Sequence, residues 1–83
     1  MEHYQFDTQA LITNCSLNET ELRDAITTKF VGNSLIAGGD HDLMKLHFHT
    51  NQPGQIIDYC ATLGDIFDIV IENMDRQAIG KKG

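Results

Sequence analysis

Eighty-three residues, 41% of them hydrophobic and 7% aromatic with no tryptophan, suffice for one modest core in a single domain. A net charge of −6 on only six Lys and Arg residues leaves no clustered cations to track phosphates, which argues against nucleic acid and anionic membranes. Two cysteines, Cys15 and Cys60, read as reduced, buried small residues; with no signal-peptide core or membrane-length apolar run, a cytoplasmic setting is expected.

Tyr4–Asn14 (YQFDTQALITN) alternates: Tyr4, Phe6, Ala10 and Ile12 share one side, and Gln5, Asp7 and Gln9 the other. That pattern predicts a half-buried strand. A helix start follows. Asn18 and Glu21 have the spacing of a capping box, Leu17 and Leu22 that of a hydrophobic staple. Leu22, Ala25, Ile26 and Phe30 recur at helical spacing, and Gly32 is placed to stop the helix. Ser34–Ala37 predicts a short strand, Gly38-Gly39-Asp40-His41-Asp42 a turn, and Leu43–Thr50 (LMKLHFHT) a second arm of a hairpin. A second helix is expected to open at Pro53, capped by Thr50 or Asn51. Its buried face would be Ile56, Tyr59, Cys60 and Leu63, with Gly64 closing it. Phe67–Glu72 (FDIVIE) predicts the last strand. The polar run that follows suggests a domain over residues 3–75 and a linker or tail over 76–83, as though cut from a longer multidomain protein.

The order β-α-β-β-α-β predicts an α+β, ferredoxin-like sandwich: a four-stranded antiparallel sheet of order 4-1-3-2, with both helices on one face. In such a sheet the first and third strands are central neighbours. Burying Met44, Leu46 and Phe48 under the helices turns Lys45, His47 and His49 to the open face. Asp7 joins them from the first strand, within about 5–8 Å between Cβ atoms. Histidines at i and i+2 on a strand have Cβ atoms about 6.5 Å apart, which suits convergence on one ion. Two imidazoles and a carboxylate can ligate zinc or another divalent metal. Spacing alone leaves solvated surface residues as the other reading. His3 and His41 receive no role, and no nucleophile accompanies the trio, so self-sufficient catalysis is not expected. The GGD tract lacks the Gly-Lys-Ser/Thr ending of a phosphate loop.

The run KLHFHTNQPGQIIDYCATLGDIFDIVIENMDRQ closely resembles the middle domain of the fatty acid kinase A family. That family shows K-V-H-x-H-T-x-x-P-G, a glycine after the helix, then I-x-N-M-x-x-Q. The matching residues here are Lys45, His47, His49, Thr50, Pro53, Gly54, Gly64, Ile71, Asn73, Met74 and Gln77. Upstream, GNSLIAGGDHDLMK resembles G-D-S-L-V-V-x-G-D-D-x-L-V-K. Where the family begins Y-G-Y-C-T-E, this chain has YQFDTQ, so the family's cysteine falls on Asp7. The resemblance thus implies a zinc-type site at positions 7, 47 and 49, with hard oxygen in place of soft sulfur.

The resemblance also implies a parent protein with a preceding dihydroxyacetone-kinase-type nucleotide domain and a following DegV-like domain. Kinase chemistry would belong to the former and acyl-chain binding to the DegV-like domain or partner, placing the chain in lipid metabolism. The expected role is therefore a non-catalytic middle domain that joins, orients or dimerises these pieces, with a divalent metal at Asp7, His47 and His49. The same fold would also suit a small-molecule regulatory domain, or a hydrolase using a metal-bound water.

Overall fold

The computed structural model describes residues 3–80. Alternation makes the first strand, β1 (Phe6–Thr13): Thr8, Ala10 and Ile12 are buried, and Asp7, Gln9 and Leu11 point the other way, half-exposed. The helix α1 (Glu19–Lys29) opens on the expected capping box. Asn18 Oδ1 accepts the Glu21 N–H at 2.8 Å, and Glu21 Oε1 accepts the Asn18 N–H at 3.0 Å, so two otherwise orphaned donors are satisfied. Leu22 and Ile26 are the buried stripe, and Leu17 packs beside them.

Gly32 does not stop this helix. Phe30 is the C-cap, with extended backbone, and its ring meets Tyr59 edge-on at 5.5 Å. The chain passes straight into β2 (Gly32–Gly39), longer than the expected Ser34–Ala37. A Cβ at position 32 would strike the His49 carbonyl and the Phe48 ring, so the glycine serves close strand approach. Gly38 and Gly39 likewise belong to the strand. The turn is confined to Asp40–Leu43, where Asp40 Oδ1 accepts the N–H groups of Asp42 (2.9 Å) and Leu43 (3.1 Å). Gly39 has φ +126°, and a Cβ there would meet the Leu43 carbonyl.

The next strand, β3 (Met44–Thr50), alternates without a break, with Met44, Leu46, Phe48 and Thr50 all buried. The helix α2 (Pro53–Leu63) begins at Pro53 as expected, but its N-cap is Gln52, which makes no side-chain cap bond. Thr50 and Asn51 are engaged elsewhere. The Thr50 hydroxyl donates to the Val31 carbonyl at 2.9 Å and accepts the Gln52 N–H at 3.1 Å. Asn51 Oδ1 accepts the Gln5 N–H at 2.8 Å, and its Nδ2 donates to the His3 carbonyl at 2.9 Å. Ile56, Cys60 and Leu63 are buried with Tyr59 packed alongside, and Gly64 caps the helix. The last strand, β4 (Asp65–Asn73), leads directly into the short helix α3 (Met74–Ala78), which the sequence pattern did not predict. Asn73 caps α3, its Oδ1 accepting from Asp75 and Arg76.

The strands form one antiparallel sheet of order β2-β3-β1-β4, the arrangement expected of a ferredoxin-like sandwich. Leu22, Ile26, Ile56, Cys60 and Leu63 from the helices meet Ile12, Met44, Leu46 and Phe48 from the strands in one core. Each large aliphatic side chain buried there contributes about 1.5–3 kcal/mol. The opposite face of the sheet carries no helix of this core, and the polar side chains of β1 and β3 lie on it.

Candidate metal centre

The β1–β3 ladder runs in unbroken register from Phe6↔Thr50 to Ile12↔Met44. It sets Asp7 directly across from His49 and Gln9 across from His47. Because alternation holds on both strands, all four side chains leave the same face. His47 Nε2 and His49 Nε2 come within 3.2 Å of each other. Asp7 Oδ1 lies 3.3 Å from His47 Nε2 and 3.8 Å from His49 Nε2. The three side chains are only 15–25% exposed. The three positions expected from the sequence are brought together.

These separations have a simple meaning. Zinc bound to nitrogen and oxygen at about 2.0–2.1 Å in a tetrahedron places its ligand atoms about 3.3–3.4 Å apart. Two of the three observed edges lie close to that figure and the third is a few tenths of an ångström longer. The two carboxylate oxygens of Asp7 differ in their partners. Gln9 Nε2 donates to Asp7 Oδ2 at 3.1 Å, fixing that oxygen, while Oδ1 is buried and accepts no hydrogen bond. An acceptor shut off from water without a donor is costly, and a cation held between the three atoms would offset that cost. The donor set therefore fits a divalent metal with at least one coordination position left for water or a further ligand.

Gln9 is a residue to which the sequence pattern assigned no role. The available signal was its position two residues from Asp7 on the same face. The other histidines lie elsewhere: His3 pairs with Asp75 at 2.6 Å, and His41 Nδ1 sits 3.0 Å from the Cys15 carbonyl beside the hairpin turn. The hollow around His41 also contains Glu19, Glu21 and Asp40, but each carboxylate already accepts backbone N–H groups. Cys15 and Cys60 are free and buried. Burial, with Cys15 nearby, pushes the Cys60 thiol up to about 12. Neither is a nucleophile beside the trio.

The family model of the FakA-like middle domain, the middle domain of fatty acid kinase A-like proteins, matches residues 3–81. The chain belongs to that family. Protein YloV of Bacillus subtilis is 39% identical over 46 residues, 55% of this chain and 8% of its own length. An uncharacterized protein of Staphylococcus aureus (strain USA300) is 31% identical over 62 residues, 75% of this chain and 11% of its own. The chain thus spans about a tenth of the length of the curated relatives it matches. As a FakA-like middle domain it has neighbours in those longer chains, and among its described residues no helix is long and apolar enough to cross a membrane.

Proposed function

We propose that this domain is a non-catalytic connector, stiffened by a divalent metal at Asp7, His47 and His49. In a fatty-acid-kinase-like or DegV-fusion protein it would position a kinase-type domain against a DegV-like domain or protein that carries the fatty acid. The observation that carries the metal is the trio's spacing, with Asp7 Oδ1 buried and lacking a donor. The connector role is supported by membership of a middle-domain family whose longer members leave most of their length outside this segment.

A metal here would clamp the two central strands. When bound, it would add cross-strand bonds between His49 and Asp7, and between His47 and Asp7, to a ladder otherwise held by backbone hydrogen bonds. Oxygen in place of the family's cysteine sulfur favours a harder or borderline ion and weakens the preference for zinc. Catalysis is not assigned to the trio, because no nucleophile or oxyanion donor stands beside it among the described residues.

The test is a zinc and manganese titration of the metal-free chain, followed by thermal unfolding. A free metal concentration 100-fold above Kd stabilises the chain by about 2.7 kcal/mol. The double substitution His47→Ala with His49→Ala abolishes both binding and the stabilisation. Unchanged melting of the parent chain after exhaustive chelation removes the stiffening role and leaves only an interface role for the three residues. A thermal-shift panel of amino acids, nucleotides and acyl chains stays flat for a connector; a clear response there favours the regulatory-domain reading.

A further inference from the structure

Asp7 and His49 lie in one row of directly paired residues, and that row continues onto β4. The β1–β4 register sets Asp7 directly across from Glu72, on the side opposite His49. Glu72 therefore leaves the same open face, one strand over. Directly opposed like charges destabilise a sheet pair, and here two carboxylates face each other at the central-to-edge junction. Among the described residues no lysine or arginine forms an ion pair with either. Instead, Glu72 Oε2 accepts a hydrogen bond from Gln77 Nε2 on α3, and Asp7 Oδ2 accepts one from Gln9. Both carboxylates are thus held by neutral amides that orient them without neutralising them.

Such an arrangement is unfavourable for an empty face and favourable beside a cation. Two neutral imidazoles and the Asp7 carboxylate leave a divalent ion with one uncompensated positive charge. Glu72 supplies the missing negative charge. Its carboxylate stands outside the group of ligand atoms that lie within 4.8 Å of one another. It is therefore suited to act through the ligand in the open coordination position rather than on the ion itself.

We propose that Glu72, oriented by Gln77, is the second carboxylate of this metal site, accepting a hydrogen bond from the water in the open coordination position and balancing the charge of the ion. This rests on the metal reading of Asp7, His47 and His49. Helix α3 is joined to the Glu72 carboxylate. Asn73 starts the helix, and Gln77 on that helix reaches back to Glu72. The part of the chain that leaves the sheet is thereby tied to the ion.

The experiment measures Zn2+ and Co2+ affinity by chelator competition, and melting of the metal-free and metal-loaded chain, for the parent, Glu72→Gln and Gln77→Leu. Loss of an outer carboxylate partner weakens metal binding by roughly 10–100-fold. Glu72→Gln is expected to show that loss while melting at a higher temperature than the parent when metal-free, since the opposed pair is gone. Gln77→Leu weakens binding in the same direction by a smaller factor. A merely structural carboxylate would not give opposite signs in the two states. Parent-like affinity in Glu72→Gln overturns the assignment of Glu72 alone; a parent chain that binds neither ion overturns the metal reading on which it depends.

Discussion

The two central strands and the two outer strands obey different rules. Between β1 and β3 the ladder is unbroken, so every residue faces the side that alternation demands. Both outer pairings contain a bulge. In β2 it lies between Asn33 and Ile36, with Ser34 at φ 55°; beside β4 it lies between Gln9 and Leu11, with Asp68 at φ 50°. Each bulge exchanges faces beyond it. Ile36 is sent to the open face, across from His47 and 59% exposed, while Ala37 takes the core position opposite Leu46. On β4, Ile66 pairs with Ile12 and packs on the core, whereas Phe67 pairs with Leu11 on the open face. The cluster of Asp7, His47 and His49 sits where the register has no such interruption.

Substitutions should therefore cost far more at the centre of the sheet than at its edge. Phe48, buried on β3, should be the most sensitive: Phe48→Ala costs about 3–5 kcal/mol, read as a large fall in the denaturant midpoint. Gly32→Ala should cost about 1–3 kcal/mol, because the new methyl must displace the Phe48 ring or the His49 carbonyl. Since His49 belongs to the trio, metal affinity should fall along with stability in that variant.

A third test concerns how tightly the core over the centre is sealed. The Cys60 thiol is raised from 9.0 to about 12 by burial first and by Cys15 second. Its sign follows from proton counting. Below about pH 9 both folded and unfolded chains hold the proton, and the contribution is complete. Between pH 9 and 12 only the unfolded chain releases it, so stability falls as pH rises, by about 1.4 kcal/mol per pH unit at most. Denaturant titrations across that window should show a shallower decline for Cys60→Ala than for the parent chain. The smallest effect belongs to the edge: Ile36→Thr should change stability by less than about 0.5 kcal/mol, because its side chain is already in water. A cost comparable to Phe48→Ala there would show that the open face is covered in solution.

Much of this was legible in the residues. The capping box at Asn18 and Glu21, the proline that starts α2 and the alternation in MKLHFHT are local codes, and the structure carries all three. The helix end was misread because Gly32 suggested a cap, when its lack of a side chain serves a neighbouring strand instead. The cap of α2 was misread because Thr50 and Asn51 find partners, Val31, His3 and Gln5, that are distant in the chain. The short helix after Asn73 was invisible to periodicity, being only five residues long.

For the candidate site, the face that His47, His49 and Asp7 each take follows from the residues alone, since a period of two is a property of any strand. Their convergence belongs to the folded chain. Register between β1 and β3 aligns Asp7 with His49, and register between β1 and β4 brings Glu72 to the far side of Asp7. Neither can be read from one strand, because pairing is chosen by the packing of whole apolar faces beneath α1 and α2. On the open face the gathered side chains leave Asp7 Oδ1 buried and without a hydrogen-bond donor, which no single strand's pattern could show.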